Sequence, residues 1–399
     1  MAALTLPASP TPLAPLTAAQ MAAVERETAE AVQRILTHGA LSANTRRSYE
    51  GALRYWAAWH VAAWDSPLPL LHEPRAAVPP STVRAFIAHH APERDGDRIT
   101  TAMPAFVRER LHALHTSRRY VARRDDADAD VPTLATVRHR VAALNALHRM
   151  LGLVAPIEAD PSLKLLLTAA RNVAAQQAPA VLRQPKHAIT RDLLNAMLAR
   201  CDEDESPIGL RDAALLACGW YTGGRRRGEL ASMRWRDLSP WQSDQEGLAG
   251  WLWHVQTSKG RVRDRADGGV LAVVIAEIAA DRLDRWRDWC AAHGADMRGP
   301  VWRSLRWGRG AWRMGAAMDG EAIAGRVKAW VAACGLDPED YAAHSLRSGA
   351  GTTFLAEGGD LAGAADLLAH RSMETTRLHY DHRQVPVAAV ARLVRPPRR

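Results

Sequence analysis

Cysteine, phenylalanine and lysine are scarce in this 399-residue chain, which has four cysteines and three phenylalanines. Lys164, Lys186, Lys259 and Lys328 are its four lysines, so 48 of the 52 basic residues are arginine. Cys201, Cys218, Cys290 and Cys334 are far apart and sit in apolar helical patterns. That spacing argues against a disulfide framework or a thiolate metal site, and reads as reduced core thiols in a cytoplasmic protein. No segment reaches the roughly 20 uninterrupted apolar residues that cross a bilayer, so no membrane partner is expected. Residues 1–18 lack a basic start and an unbroken apolar stretch, which predicts a disordered leader and not a signal peptide. There is no Gly-rich P-loop, and no nucleotide, metal or other cofactor is expected.

What is present is apolar mass and positive charge. At 47% apolar residues the chain can bury two cores, and its length suggests two domains. The formal net charge is +9, carried almost wholly by arginine, which makes a polyanion the leading partner class.

Helical periodicity starts near Thr17. Asn44 and Thr45 offer capping side chains ahead of Tyr49, Leu53, Trp56 and His60, with Arg46 and Arg47 on other faces. Further helices are predicted over 81–90, 104–119, 133–151 and 161–175. The helix over 133–151 is the clearest, with Leu134, Val137, Val141, Leu144, Leu147 and Leu151 in one stripe. The charge run Arg123-Arg124-Asp125-Asp126 reads as a loop, and 176–187, with two prolines, as a linker. Beyond it, Thr190 caps a helix, an apolar helix spans 210–221, and Gly223-Gly224 breaks it. Strand-like runs at 250–257 and 269–275 flank Ser258-Lys259-Gly260, a β-hairpin pattern. Helices follow over 276–293, 320–334, 345–357, 360–369 and 385–394. The fold class expected is mainly α with a small β-hairpin or sheet, an α+β arrangement: residues 19–175 helical, 188–384 the second domain, 385–399 a tail.

One constellation carries chemistry. Arg226 and Arg347 can fork onto the oxygens of a phosphate and offset charge that grows in a transition state. Tyr380 is a plausible nucleophile toward a phosphodiester if neighbouring cations and a base such as His344 or His370 favour its phenolate. His344 and Arg347, three apart, share a helical face. Lys259 can release a proton to a leaving oxygen, which arginine cannot. His379 and His382 flank the tyrosine; with His370 they form a histidine cluster that needs no metal for this chemistry.

Thr222-Gly223-Gly224-Arg225-Arg226-Arg227-Gly228-Glu229-Leu230, Ser258-Lys259, His344-Ser345-Leu346-Arg347, His370 and Tyr380 fall in the order seen in tyrosine recombinases, and the chain resembles the phage-integrase type. The resemblance implies a helical core-binding domain that clamps DNA (19–175) and a catalytic domain (188–384). It implies catalytic Arg226, Lys259, His344, Arg347, His370 and Tyr380, with Glu229 orienting Arg226. Arg46, Arg47, Arg225 and Arg227 are expected to touch DNA backbone, or in the case of Arg225 and Arg227 to face solvent. The pattern departs in one place: the family's nucleophile stands nine residues after its later histidine, where this chain has His379, and Tyr380 comes one residue later. The activity implied is site-specific DNA recombination and integration, as in mobile elements, through a 3′-phosphotyrosyl intermediate. The implied assembly is a homotetramer on two double-stranded DNA segments, with room for accessory DNA-bending proteins. Two alternatives stay open on sequence alone: a non-catalytic DNA-binding protein with a degenerate recombinase fold, and a type IB topoisomerase.

Overall fold

In the computed structural model the chain divides into two compact units, Met1–Gln184 and Pro185–Arg399. The structure describes residues 12–37, 41, 43–72, 75–95, 98–114, 132–177, 186–243, 247–256 and 271–369. The Arg123 charge run, most of the predicted linker, Lys259 with its loop, and everything from His370 onward lie outside the described residues.

The first unit is built from α1 (Ala18–Thr37), α2 (Ala43–Trp64), α3 (Pro80–His89), α4 (Ala105–Leu114), α5 (Leu134–Met150), the single turn α6 (Pro156–Ala159) and α7 (Ser162–Gln177). Its core forms where α2 presents Leu53, Trp56 and Trp59 to Val83, Phe86 and Ile87 of α3 and to Val137, Val141 and Leu144 of α5. Trp56 stacks on Phe86 at 3.8 Å between centroids and Trp59 meets the same ring edge-on at 4.9 Å. Thr133 caps α5 by accepting from the Thr136 amide. A short antiparallel ladder, β1 (Pro92–Asp95) with β2 (Arg98–Thr101), stands where the sequence predicted no strand. α7 also runs two residues past the predicted end at Ala175.

Two histidines lock this unit through their ring nitrogens. His90 is fully buried; its Nδ1 faces the Phe86 carbonyl at 2.7 Å, so Nδ1 donates and Nε2 accepts from the Tyr55 hydroxyl at 2.7 Å. The Tyr55 ring in turn lies 3.2 Å from the Arg140 guanidinium. His148, also fully buried, donates from Nδ1 to Leu144 O and accepts at Nε2 from the Val78 amide at 2.9 Å. Burial pushes the pKa of His90 down to about 3, with the charge of Arg140 acting in the same direction, and lowers those of His60 and His148. His89 falls to about 4 for the same first reason.

The second unit contains α8 (Arg191–Glu203), α9 (Pro207–Tyr221), α10 (Arg227–Ser232), α11 (Glu277–Ala292), α12 (Gly320–Ala333), α13 (His344–Ala356) and α14 (Leu361–Leu367). Its three-stranded antiparallel sheet has the order β3 (Leu238–Gln242), β4 (Ala249–Val255), β5 (Leu271–Ala276), and Trp253 pairs with Leu238 on one side and Val273 on the other. A separate hairpin, β6 (Arg303–Gly308) with β7 (Ala311–Ala317), was not expected from the sequence. α9 is buried nearly all round. At its start Asp212, with no exposed surface, holds Arg211, Arg326 at 2.6 Å and the Trp330 indole at 2.8 Å, so a charge in the core is paired on several sides. Cys201, Cys218 and Cys290 are buried free thiols whose pKa values burial raises. The fold is mainly helical with small antiparallel sheets.

The unfolded chain protonates a histidine near pH 6.5, whereas the buried rings stay neutral well below it. The stability they support is therefore complete above pH 6.5 and is lost as the pH falls from there toward their lowered values, at about 1.4 kcal/mol per pH unit for each excluded proton. Urea unfolding of the full chain between pH 7 and 5 is expected to show the first unit's transition moving to lower urea. His90→Gln should flatten that dependence; an unchanged slope would rule out its buried, neutral state.

Candidate active site

The site is organised by the break after α9. Thr222 closes the helix by donating its hydroxyl to Cys218 O at 2.5 Å. Gly223 and Gly224 then take left-handed φ values of +83° and +65°, with both amides donating to Trp220 O. Left-handed backbone suits glycine, and here space demands it as well. A Cβ on Gly223 would stand 2.2 Å from Leu367 O, and one on Gly224 2.1 Å from the Arg347 Cα. The turn thus lies directly against α13 and the end of α14.

Arg226 follows as the residue that starts α10. Its amide donates to Glu229 Oε2 at 3.1 Å and its guanidinium to Glu229 Oε1 at 2.8 Å. Glu229 is 3% exposed while the Arg226 side chain keeps 32%, so a buried carboxylate aims a half-exposed guanidinium. Arg347 enters from α13. It is 2% exposed, and its guanidinium donates to Gly224 O at 3.0 Å and to Leu368 O. His344 opens the same helix one turn earlier and is exposed. Ser345 secures the helix start, its hydroxyl accepting from the Ala342 amide and its carbonyl from the Ile189 amide at 2.9 Å. Arg226, Glu229 and Arg347 are therefore brought together around one turn, with His344 on the helix that carries Arg347.

Arg225 corrects its sequence-based expectation. It does not face solvent or a surface that DNA backbone could reach: it is 2% exposed, and its guanidinium donates to Gly223 O and Leu367 O. Its Nε is buried with no hydrogen-bond partner among the described residues. Burial lowers its pKa to about 10; Glu229 opposes the shift, and Arg347 and Arg226 add to it. It stays charged at neutral pH and tethers the end of α14, three residues before His370. Sequence reasoning missed this role, although Gly223-Gly224 immediately upstream is the signature of a close backbone approach. Arg227 is half-exposed and pairs with Glu321 at 2.9 Å. Arg46 and Arg47 are exposed on α2 of the first unit. Lys259, His370 and Tyr380, together with His379 and His382, lie outside the described residues.

Gly224→Ala should cost on the order of 3 kcal/mol, since it adds both left-handed strain and a backbone clash. Gly228→Ala, inside α10 with nothing within 4 Å of its added Cβ, should be neutral or stabilising by up to about 1 kcal/mol. Thermal unfolding of both variants checks the contrast, and equal midpoints would contradict the close approach.

Residues 187–385 match the model of the phage integrase family. Among curated proteins, the tyrosine recombinase XerC of Xylella fastidiosa (strain M23) is 27% identical over 175 residues, 44% of this chain and 50% of the relative. The integrase/recombinase xerD homolog of Selenomonas ruminantium is 30% identical over 233 residues, covering 57% and 61%. The chain thus spans about half the length of the first of these relatives. Among solved structures, the Tn1549 transposon integrase in complex with circular intermediate DNA shares the fold at a TM-score of 0.51 and 13% identity, covering 93% of this chain and 99% of that one. Through the half of its length that holds the Gly223-Gly224 turn and α13, the chain belongs to the phage integrase family of tyrosine recombinases.

Proposed function

We propose that this protein is a site-specific DNA recombinase that cleaves and rejoins double-stranded DNA through a 3′-phosphotyrosyl intermediate. The observation that carries the reading is the pairing of Arg226, aimed by the buried Glu229, with Arg347, locked onto Gly224 O, across a single turn. Two oriented guanidiniums suit a phosphate whose equatorial oxygens gain charge as a fifth ligand arrives. The remaining roles follow the order of the family's motif in this sequence. Tyr380 attacks phosphorus, its phenol proton leaving to a base, the role the family motif gives to His344. The P–O bond to the 5′ oxygen breaks, Lys259 protonates that oxygen, and His370 donates to the phosphate. Rejoining reverses these steps with a different 5′-hydroxyl, so the ester conserves the bond energy and no ATP is consumed.

In this reading the first unit holds DNA, with Arg46 and Arg47 on the exposed side of α2 as backbone contacts. Four protomers act on two duplexes in the cytoplasm, and accessory DNA-bending proteins assist where the site demands it. Both relatives described above are named as recombinases, which supports recombination over simple supercoil relaxation.

The test is covalent trapping on duplexes nicked beside the scissile phosphate, so that cleavage releases a short strand and cannot reverse. Wild type is expected to form a protein–DNA adduct stable on a denaturing gel, and Tyr380→Phe none. Arg226→Ala and Arg347→Ala should each slow adduct formation by about 100-fold to 1,000-fold. An adduct that persists in Tyr380→Phe moves the nucleophile, with His379 and its neighbours the next positions to vary. Tight DNA binding without any adduct would replace the reading with a non-catalytic one.

A further inference from the structure

The β6–β7 hairpin is not used by the chemistry above, and its composition is unusual. Between Met297 and Met318 stand five arginines and three tryptophans but no aspartate or glutamate. Register divides the hairpin into two faces. Leu305 pairs with Met314 and Trp307 with Trp312, and Leu305 and Met314 pack on the core. Arg306 pairs with Arg313 on the opposite face, away from that core. Arg309 and Gly310 make the turn, both with positive φ, so a third exposed guanidinium stands at the tip.

Like charges directly opposite each other in an antiparallel pair are destabilising. Arg306, Arg309 and Arg313 are all exposed and form no ion pair among the described residues. Trp307 is 62% exposed while its ring meets Trp312 edge-on at 5.4 Å, a cross-strand pair that stiffens the ribbon beyond the core. A stiff, one-signed ribbon that carries an unpaired arginine ladder fits an extended polyanion better than a globular protein surface. Two-stranded ribbons also match the width of a DNA major groove.

The hairpin is also tied to the candidate site. At its base the Val301 amide donates to Met233 O, immediately after α10, and the Met318 amide to Trp302 O. Where it leads into α12, a Cβ on Gly320 would stand 3.2 Å from the Arg227 side chain, next to Arg226. Six residues of strand reach about 20 Å, which is about six base pairs along a duplex at roughly 3.4 Å each.

We propose that the β6–β7 hairpin is a second DNA-binding element, which grips the phosphates of the duplex about half a turn from the cleaved bond through Arg306, Arg309 and Arg313. This rests on the recombinase reading for the duplex it engages, but it concerns binding and needs no cleavage. The test is fluorescence anisotropy of the full chain with a 40-base-pair labelled duplex over a range of salt concentrations. It compares wild type with the triple variant Arg306→Gln, Arg309→Gln, Arg313→Gln and with the triple lysine variant. The glutamine protein is expected to bind at least about 10-fold more weakly, with the slope of log K against log salt reduced by about two to three, since each lost phosphate contact removes about 0.9. The lysine protein should keep most of the slope. Thermal unfolding is expected to stay at or above the wild-type midpoint, because a like-charge pair is removed.

Unchanged affinity and slope in the glutamine variant overturn the proposal. Unchanged DNA binding with a shift in oligomeric state by sedimentation overturns it in favour of an acidic surface on a second copy. Wild type that binds DNA with the expected slope yet forms no covalent adduct sinks the catalytic reading and leaves the hairpin assignment standing.

Discussion

The contact on which the second unit depends is the approach of Gly223 and Gly224 to α13 and α14. No side chain fits in that gap, so the backbone carbonyls themselves become the surface that guanidiniums read. Arg347 takes Gly224 O and Leu368 O; Arg225 takes Gly223 O and Leu367 O. Two buried arginines therefore join the end of α9, the start of α13 and the end of α14. Arginine suits this work because its planar fork spans two acceptors and it remains charged when desolvated, whereas lysine would tend to lose its proton. The composition, with twelve arginines for every lysine, is consistent with an interior that uses guanidiniums as struts.

That strut system concentrates positive charge at one turn. Arg225 and Arg347 are held at 2% exposure each, and Arg226 emerges beside them under the direction of Glu229. Mutual repulsion among the three is a cost of the folded state, partly offset by Glu229 and by hydrogen bonds to carbonyls. The repulsion is therefore met on folding, and the three guanidiniums stand in fixed positions.

What could be read from the sequence follows the reach of each signal. α5 was legible because its apolar stripe repeats from Leu134 to Leu151; α9 was legible because an apolar run ends at two glycines. Arg226 was separable from its neighbours only through the family resemblance, whose motif sets an arginine three residues before Glu229-Leu230; the structure puts Arg226 and Glu229 in contact. The fate of Arg225 was not legible, since one of the two carbonyls that hold it, Leu367 O, stands 142 residues later in the chain. The β6–β7 hairpin was missed because its alternation, Leu305-Arg306-Trp307 and Trp312-Arg313-Met314, lasts only three residues on each strand, and its turn signal, Arg309-Gly310, is a weak one. The β1–β2 ladder had an Asp95-Gly96 turn in its sequence but charged flanks that hid it.

The interior of both units also rests on tryptophan where many proteins use phenylalanine. Trp56 donates to Arg140 O, Trp220 to Ile189 O, Trp286 to Val301 O and Trp330 to Asp212, all from buried rings. Each ring has one orientation that keeps its N–H bonded, and turning it over would forfeit about 1 kcal/mol or more in a site water cannot reach. An aliphatic core can slide among near-equivalent packings, but this one is keyed. A shift of α9 past Ile189, or of α11 past Val301, would break a named bond before it disturbed any volume. These two helices are thus fixed along their axes as well as pressed together.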